Sequence, residues 1–471
     1  MTKKYITTAI PYVNGNPHVG HAMDYCLADT AARYFRLCGD EVRFQVGTDE
    51  HGNKIYQKAK ELNIPVKEYV DENADKFKTF IERLGVSYTD FVRTTDDAHE
   101  KRVQEIWTKL KDHIYMAKYE GWYCVGCERF VTEKECKDNN GVCPDHGKPY
   151  EKLEEQNYYL RLADFKDRIK SAILDDEMLI LPDFRKKEIL KLIEDSPDVS
   201  ISRPREQLEW GVPVPGDNSQ VMYVWLDALS NYITVLGYPD NQNYEEWWPA
   251  AAQFVGKDIL RFHAIIWPAI LLGLGLPLPK VIISHGMILV DGQKMSKSIG
   301  NVVNPVEVLE KHGLDALRYY FLRHVDTFSD ADFTWDKFEE AYNSELANDL
   351  GNLVQRLATL AEKNGIKIED FSPNLSEDYI SLMDHFEFSR AFDLVWSKVQ
   401  GLNKRINEEK PWELAKNGET EKLHEVLESL IFDLLDANNM LSPFLPDASS
   451  RISEIFTDEI CAPKVPLFPK G

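Results

Sequence analysis

The pattern of hydrophobic and polar positions divides the chain into two parts. Residues 4–10 and 281–283 are short apolar runs typical of buried strands, and turn-forming residues 11–17 follow the first. From Val19 to Gly39, apolar residues recur at helical spacing, which predicts a helix. Beyond residue 305, residues 343–361, 388–406 and 423–435 show the amphipathic period of helices. The pattern therefore predicts a parallel α/β unit followed by a helical bundle.

Two histidines stand where the first predicted strand gives way to a helix. His18 and His21 flank Val19 and Gly20 at the predicted helix start. A strand, a turn and a helix N-terminus form a phosphate-binding corner in doubly wound sheets, because backbone N–H groups point outward there. Gly20 would let a nucleotide approach the backbone closely. The same histidines could instead cap or pack the helix, so this motif alone is ambiguous.

A second motif, Lys-Met-Ser-Lys-Ser at residues 294–298, follows the predicted strands 281–283 and 287–290 and the turn pair Asp291-Gly292. When a carboxylate attacks the α-phosphorus of ATP, negative charge develops on phosphate oxygens. Lys294 and Lys297 on a loop are suited to stabilise that charge. Most lysines are ordinary surface residues. The complete motif at this end of the fold nevertheless favours the catalytic interpretation.

The two motifs together resemble the signatures of class I aminoacyl-tRNA synthetases. Neighbouring segments resemble the methionyl-tRNA synthetase family over nearly the whole chain. They are residues 9–15, 47–52, 223–228, 257–259 and 262–268. Val19 replaces the isoleucine of the family signature, which alters one packing methylene and no reacting group. The resemblance implies an ATP-dependent ligase. It would convert L-methionine and ATP to methionyl-adenylate and pyrophosphate, and then transfer the methionyl group to the 3′ end of tRNA(Met).

The predicted fold class is α/β: a split doubly wound (Rossmann-type) parallel sheet with a zinc-knuckle insertion, followed by an all-α helical bundle. A chain of 471 residues is long for one domain. We expect a catalytic nucleotide-binding domain in two halves, a connective insertion, a stem-contact linker and a helical anticodon-binding domain. The expected ranges are 1–114 and 217–303 for the catalytic halves, 115–216 for the insertion, 304–340 for the linker and 341–471 for the helical domain.

A pocket for the unbranched, polarizable methionine side chain should be largely aromatic. Trp225, Ala228 and Tyr232 are spaced i, i+3, i+7, which places them on one face of a helix. Such a stripe would equally suit a hydrophobic core. The resemblance implies that Asp49 holds the α-amino group and that Tyr12 and His263 contact the thioether. The candidate methionine-binding residues are Ile10, Tyr12, Asp49, Trp225, Ala228, Tyr232, Phe262, His263 and Trp267.

The candidate catalytic residues are His21 and Lys297, assisted by His18 and Lys294. They would stabilise the transition state without proton transfer, because the attacking carboxylate is already ionised. Mg²⁺ is expected to accompany ATP. Asp258 follows Gly256-Lys257 and would accept hydrogen bonds from ribose hydroxyls, or would simply begin a helix. The candidate ATP-binding residues are His18, Gly20, His21, Asp258, Lys294 and Lys297.

Two short hooks in the predicted insertion carry metal-binding side chains. Cys124 and Cys127 form the first hook, and Cys143 and His146 form the second. This spacing predicts one tetrahedral, structural Zn²⁺ with no open position for substrate. Cys136 lies between the hooks and could replace His146, but it has no hook partner of its own.

Three residues of the helical part are candidates for reading the anticodon. Asn352 and Arg356 are one helical turn apart, and Trp412 follows Pro411 at a helix start. The resemblance implies that Trp412 stacks on a base while the other two contact base edges. An ordinary helix surface would account for them as well. The net charge of −23 requires a local basic face for tRNA, with modest and salt-sensitive affinity.

The remaining expectations concern location and alternatives. We find no basic, apolar leader and no membrane-length apolar run, and we expect a cytoplasmic monomer with no membrane partner. Clustered cysteines indicate a reducing compartment. The alternatives are a leucyl or cysteinyl synthetase, or a non-catalytic nucleic-acid-binding relative. The short insertion disfavours the leucyl type, and a metal in the substrate pocket would mark the cysteinyl type. Intact histidines and lysines argue against a non-catalytic relative.

Overall fold

The first part of the chain begins the central sheet. The computed structural model describes residues 2–125, 129–144, 147–290, 292–294, 303–368 and 371–469. The predicted strand at 4–10 is present as residues 3–8, and the predicted helix starts at Val19 as expected. The elements are β1 (Lys3–Thr8), α1 (Val19–Leu37), β2 (Glu41–Thr48), α2 (Asn53–Glu61), α3 (Val66–Arg83), β3 (Asp90–Arg93) and α4 (Asp97–Lys109).

The following segment, up to residue 222, contributes small sheets and three helices. Its elements are β4 (Ile114–Cys124), β5 (Arg129–Val131), α5 (Glu133–Asp138), β6 (Glu151–Leu160), α6 (Lys166–Leu174), β7 (Leu179–Leu181), α7 (Asp183–Asp195), β8 (Val199–Ser200), β9 (Ser202–Pro204), β10 (Pro213–Val214) and β11 (Asp217–Met222). Antiparallel β4 and β6 form the centre of a four-stranded sheet ordered β5-β4-β6-β8. Strands β10, β11 and β9 form a separate three-stranded sheet.

The central sheet is completed by the next part of the chain. Its elements are α8 (Val224–Thr234), β12 (Ala252–Gly256), α9 (Trp267–Gly273), β13 (Val281–His285), β14 (Ile288–Val290) and β15 (Gln293–Lys294). The sheet has six strands in the order β3-β2-β1-β12-β13-β7, and every neighbouring pair is parallel. Strand β1 lies between β2 and β12, so the strand order reverses there. A crevice for a ligand forms where the strand order reverses, at the carboxyl ends of the strands.

Strand β7 is an addition that the sequence did not indicate. It lies within the predicted insertion, yet Leu179–Leu181 pairs in parallel with β13 at the edge of the central sheet. The stretch 115–216 therefore both carries its own small sheets and extends the central one.

The carboxy-terminal part is helical, as its periodicity predicts. Its elements are α10 (Pro305–His312), α11 (Leu314–Tyr319), β16 (Ala331–Phe333), α12 (Trp335–Glu340), α13 (Asn352–Lys363), α14 (Glu377–Asp384), α15 (Phe388–Glu409), α16 (Pro411–Asn417), α17 (Thr420–Leu441) and α18 (Pro446–Ile455). Wider π-helical turns at Ala341–Gly351 lead directly into α13. The predicted helices at 343–361, 388–406 and 423–435 are confirmed.

The helical part shares one hydrophobic core with α1 and β1. Arg318 on α11 is fully buried at this junction. Its guanidinium donates to Asp29 Oδ2 on α1 at 2.7 Å, to the Phe444 carbonyl at 2.7 Å and to the Pro443 carbonyl at 2.9 Å. A buried charge with this full set of partners fixes the helix carrying the histidine motif against the bundle.

Residues 264–278 are the most apolar stretch of the sequence. Trp267, Ile270 and Leu271 within it are fully buried, so this stretch belongs to the core. Among the described residues, no helix combines the length and apolar character needed to cross a bilayer.

Candidate active site

A cavity of about 770 Å³ opens at the carboxyl ends of β1 and β12. This is the position that the reversal of strand order predicts for a ligand. Its lining includes twelve of the candidate residues, which come from four separate stretches of sequence. They are Ile10, Tyr12, His18, Gly20, His21, Asp49, Trp225, Ala228, Tyr232, Asp258, Phe262 and His263.

One end of the cavity, which we call the aromatic side, is bounded by Tyr12, Trp225, Tyr232, Phe262 and His263. The rings of Trp225 and Phe262 stack with centroids 3.6 Å apart and planes at 10°. Trp225 is on α8, and Phe262 begins a single wide π-helical turn, Phe262–Ile266, before α9. The stack therefore joins two elements across this end of the cavity.

Tyr232 and His263 provide the polar atoms of the aromatic side. His263 Nδ1 lies 3.0 Å from the Ile259 carbonyl, to which it must donate. Nε2 therefore accepts from the Tyr232 hydroxyl at 2.7 Å. Burial lowers the pKa of His263 to about 4, so the ring is neutral at physiological pH. A neutral imidazole beside a phenol suits an uncharged thioether better than a charged group would.

Trp267 does not border the cavity. Its ring is completely buried behind Tyr232, with centroids 5.7 Å apart, and also contacts Trp248. Among the candidate methionine-binding residues, Trp267 therefore touches the pocket only through Tyr232.

Asp49 is held at the edge of the aromatic side by its own backbone. Its N–H donates to the Pro11 carbonyl at 2.9 Å, and its carbonyl accepts from the Val13 N–H at 3.2 Å. These bonds join the end of β2 to the loop that follows β1. The residue is 5 % exposed and borders the cavity, where a carboxylate is suited to an ammonium group.

A buried charged network behind Asp49 was not expected from the sequence. The Asp227 carboxylate lies 2.7 Å from His51 Nδ1 and 2.9 Å from His99 Nε2, and His99 Nδ1 lies 2.7 Å from the Thr234 hydroxyl. Burial disfavours charge on His51, yet the Asp227 carboxylate raises its pKa to about 10. Burial alone would raise the pKa of Asp227, but His51 and His99 lower it to about 2. The network ties the Asp49 loop to α8 and α4.

The other end of the cavity, which we call the helix side, surrounds the N-terminus of α1. His18 Nδ1 accepts from the Gly20 N–H at 3.1 Å, and the His18 N–H donates to His21 Nδ1 at 3.1 Å. The two rings stack 3.8 Å apart. Since Nδ1 of each ring accepts, each neutral imidazole carries its proton on Nε2. Burial, with a smaller contribution from His18, keeps the pKa of His21 well below its usual value.

The pair formed by Asp24 and His285 lies on the helix side and was missed by the sequence analysis. His285 Nε2 is 3.0 Å from Asp24 Oδ1, and Nδ1 is 2.8 Å from the Gly286 carbonyl. Burial would lower the pKa of His285, but the hydrogen bond and charge of Asp24 raise it above its usual value. Asp24 follows His21 by one helical turn, and this spacing was the available signal.

The lysine motif lies mostly outside the described residues. Strands β14 and β15 pair in antiparallel fashion, and Gly292, part of the predicted turn, has a φ of 71°. Lys294 therefore ends a short strand, whereas the sequence predicted a loop there. The backbone of Lys294 ends β15, while its side chain and the whole of Lys297 lie outside the described residues.

The predicted metal ligands are only partly within the described residues. Cys124 and Cys143 are each 2 % exposed and belong to one small buried cluster, which also contains Cys136. The Cys143 N–H donates to the Lys148 carbonyl at 2.8 Å. Cys127 and His146 lie outside the described residues. Among the described residues, no three or more His, Cys, Asp or Glu side chains lie close enough together to hold a metal ion.

The candidate anticodon residues share one surface of the helical bundle. The Arg356 guanidinium lies over the Trp412 ring, 5.4 Å from its centroid, and donates to Asn407 at 2.9 Å. Trp412 is 38 % exposed, which is high for so large an apolar side chain. Asn352 precedes Arg356 by one turn of α13. An exposed indole held by a guanidinium offers a flat face to an unstacked base.

A doubly wound sheet with a histidine-bearing helix N-terminus at its reversal point defines a nucleotide-binding enzyme core. The statistical model of the family described as "tRNA synthetases class I (M)" matches residues 4–358. The methionine--tRNA ligase of Clostridium tetani is 43% identical over 96% of this chain and 74% of its own length. That of Thermotoga maritima is 40% identical over the same shares.

Solved structures agree with this match. Mycobacterium tuberculosis methionyl-tRNA synthetase in complex with methionyl-adenylate superimposes with a TM-score of 0.91, at 33% identity and with complete coverage of both chains. The free-state structure of that enzyme gives a TM-score of 0.84 at 30% identity. The chain belongs to the methionine--tRNA ligase family of class I tRNA synthetases.

Proposed function

We propose that the chain is a methionine--tRNA ligase, forming methionyl-adenylate from L-methionine and ATP and transferring the methionyl group to tRNA(Met). The observation that carries this proposal is the single cavity that joins an aromatic side to two stacked histidines at a helix N-terminus. The aromatic side matches an apolar amino-acid side chain, and the helix side matches a polyphosphate. The M. tuberculosis relative described as a complex with methionyl-adenylate supports the same substrates.

Methionine would lie with its thioether against Tyr12 and His263 and its α-ammonium beside the Asp49 carboxylate. Trp225 and Phe262, with Ile10, Ala228 and Tyr232, would enclose the side chain, and Trp267 would support Tyr232 from behind. Selectivity would follow from size and polarizability, because the pocket offers aromatic surface and a neutral imidazole. An amino acid with a charged side chain would lose its hydration without gaining a counter-ion.

In the first step, a carboxylate oxygen of methionine bonds to the α-phosphorus while the bond to pyrophosphate breaks. The Nε2–H groups of His18 and His21 would donate to phosphate oxygens as their negative charge grows. Lys297 would stabilise the same charge together with His21, and Lys294 would assist as His18 does. Gly20 would admit the nucleotide to the backbone, and Asp258 would accept from the ribose. No proton needs to move, because the carboxylate enters ionised and pyrophosphate leaves as an anion.

In the second step, a ribose hydroxyl at the 3′ end of tRNA attacks the methionyl carbonyl. The bond between the carbonyl carbon and the bridging phosphate oxygen breaks, and the leaving AMP phosphate takes up the hydroxyl proton. Asn352, Arg356 and Trp412 would hold the anticodon on the helical bundle. Because this surface belongs to a different part of the chain from the cavity, tRNA selection can be separated experimentally from methionine activation. An activity assay without tRNA measures the first step alone.

Two metal ions belong to the proposal. Mg²⁺ bound with ATP supplies positive charge to the phosphates. Cys124, Cys127, Cys143 and His146 would hold one structural Zn²⁺. Cys124 and Cys143 are buried in one cluster, which fits two ligands of one metal ion, and Cys136 belongs to the same cluster. Metal analysis separates the proposed set from the alternative with Cys136. Zinc should be lost from Cys143→Ser and retained in Cys136→Ser, and the reverse pattern would overturn the assignment.

We propose the five ranges given above as the domain division. Strand β7 belongs to the insertion 115–216 in sequence but pairs with the catalytic sheet. We also propose a cytoplasmic location. Its support is the tRNA substrate and the clustered cysteines of the predicted zinc site, which need a reducing compartment to stay thiols. The monomeric state stays a prediction that sedimentation would test.

The direct test of the function is ATP–pyrophosphate exchange with purified protein and each of the amino acids in turn. Exchange should depend on methionine and be at least about a hundredfold weaker with leucine or cysteine, whose side chains differ in shape and length. Preference for leucine or cysteine would identify another synthetase. No exchange with any amino acid would favour a non-catalytic nucleic-acid-binding protein.

A further inference from the structure

The segment from Thr327 to Phe333, which we call the β16 segment, contacts the helix side of the cavity although it lies far along the chain. Strand β16 pairs in parallel with β14, with Leu289 opposite Asp332. The Ala331 N–H donates to the Met287 carbonyl at 3.0 Å, and the Gly286 N–H donates to the Thr327 carbonyl at 3.1 Å. The β16 segment thus supports residues 285–288, all of which border the cavity.

The 285–288 segment and the β16 segment approach each other so closely that only glycine fits at position 286. A Cβ atom there would lie 2.0 Å from the Ser329 carbonyl oxygen, well inside van der Waals contact. Glycine is required at this position because the neighbouring backbone leaves no room for a Cβ atom, and not because of the φ angle of Gly286. The stretch His285–Ile288 is therefore seated directly on the β16 segment.

Asp330 uses both carboxylate oxygens to join this contact to a second loop. Oδ1 accepts from the Met287 N–H at 2.9 Å, and Oδ2 forms an ion pair with Lys257 Nζ. Lys257 stands between Gly256 and Asp258, which border the cavity from the end of β12. Its own N–H donates to the His285 carbonyl at 3.2 Å. One side chain therefore bridges both polypeptide segments that face Asp24 and the start of α1.

Burial would raise the pKa of Asp330, but Lys257 and the Met287 N–H lower it. The carboxylate is therefore ionised throughout the neutral range. Charge-assisted hydrogen bonds of this kind are the stronger class, and a backbone donor has little freedom to find another acceptor. The ion pair itself is part-exposed, with Lys257 at 27% and Asp330 at 35%. We therefore expect it to contribute less to holding the two segments together than the hydrogen bond to Met287 does.

We propose that Asp330 is a positioning residue that holds the 256–258 loop and the 285–288 segment together, and thereby sets ATP affinity and the rate of adenylate formation. It touches no substrate itself. The inference rests on the proposed use of the helix side for ATP. It also makes the nucleotide part of the cavity depend on the β16 segment, which precedes the helical bundle.

The test compares steady-state exchange kinetics of Asp330→Ala, Asp330→Asn and Lys257→Met. Asp330→Ala removes both contacts and should raise KM for ATP about tenfold and lower kcat, with KM for methionine within about twofold. Asp330→Asn keeps an acceptor for the Met287 N–H and should raise KM for ATP about threefold. Lys257→Met should raise it by a similar factor. The double variant Asp330→Asn/Lys257→Met should match either single one, because both remove the same ion pair.

The matched control is Asp336→Ala, which removes the same charge from the first turn of α12. A merely structural role would lower the melting temperature and raise both KM values together. The proposal is overturned if Asp330→Ala equals the control, or if KM rises equally for ATP and methionine.

A wild-type protein without methionine-dependent exchange would contradict the proposed function instead. Equilibrium dialysis of ATP against wild type and Asp330→Ala would then decide this inference separately. Weaker binding by the variant supports it, and equal binding refutes it.

Discussion

The two sides of the cavity are built in different ways. The aromatic side is supported by side chains that are almost completely buried, among them Asp227 and His99 at 1% and 2% exposure. The helix side is supported by backbone contacts with the β16 segment and by the part-exposed pair of Lys257 and Asp330. The ionic network behind the aromatic side is buried, whereas the 285–288 segment of the helix side is held by the half-buried strand β16.

This difference matches the two tasks of the proposed reaction. Discrimination among small apolar side chains depends on a pocket that does not adapt, because one methylene changes binding by only about 1–3 kcal/mol. Stabilising a triphosphate instead requires charged groups that can approach after ATP has entered. We therefore expect the buried network to determine specificity for the amino acid. We expect the hairpin supported by the β16 segment to affect the reaction rate.

The largest expected effect comes from breaking the buried network. Asp227→Asn removes the charge that compensates His51 and His99, and should lower the free energy of unfolding by about 3–5 kcal/mol. KM for methionine should rise more than KM for ATP, because the variant weakens the contact between His51 and residue 227 that joins the Asp49 loop to α8. Chemical denaturation and exchange kinetics measure the two effects. A variant with wild-type stability would show that the network does not support the aromatic side.

The next largest effect concerns the helix side. His21→Ala removes one N–H donor and should lower kcat for adenylate formation by about 10²–10³, the cost of one such donor elsewhere. KM for methionine should stay unchanged, because His21 is at the other end of the cavity. The exposed His424 on α17 provides the matched control, and His424→Ala should behave as wild type. A rise in KM for methionine would contradict the separation of the two sides.

A third test extends the comparison to the helical bundle. Trp412→Ala should raise KM for tRNA at least about tenfold, since stacking on one base contributes about 1–3 kcal/mol. Pyrophosphate exchange without tRNA should keep its wild-type rate. The exposed Trp335→Ala serves as the control for loss of an indole from the surface. Loss of exchange in Trp412→Ala would indicate a folding defect instead of an anticodon contact.

The same buried network also predicts a dependence of stability on pH. The folded pKa of His51, about 10, is above its unfolded value, so its contribution is complete below pH 6.5 and is lost as pH rises through about 10. Wild type should therefore lose its stability advantage over His51→Gln between pH 6.5 and 10. Urea unfolding of both proteins across this range measures the difference. An advantage that grows with pH would contradict the charged state assigned to His51.

Much of the helix side could be predicted from the sequence because its signals are local. A strand, a turn and His18 to His21 lie within one short stretch, and the structure places the helix start at Val19 as expected. The helical part was equally accessible, since the apolar period of 423–435 specifies a helix without reference to any neighbour. The aromatic candidates came from a resemblance and were brought to one cavity by the fold, except for Trp267.

The parts that were missed depend on long-range pairing. Nothing in the local sequence indicates that His51, His99 and Asp227 are partners. They lie in a loop, on α4 and on α8, and 128 positions separate His99 from Asp227. A three-residue strand such as β7 has too short a pattern to be recognised. Trp267 illustrates the same limit, since helical spacing groups aromatic rings without showing which ring faces the ligand.

The most direct measurement is a crystal structure of the protein after incubation with methionine, ATP and Mg²⁺. We predict methionyl-adenylate in the cavity, with the thioether between Tyr12 and His263, the ammonium beside Asp49, and the adenosine against Asp258 and residues 285–288. A ligand seated in the opposite orientation, or adenylate bound away from His18 and His21, would contradict the division of the cavity into two sides.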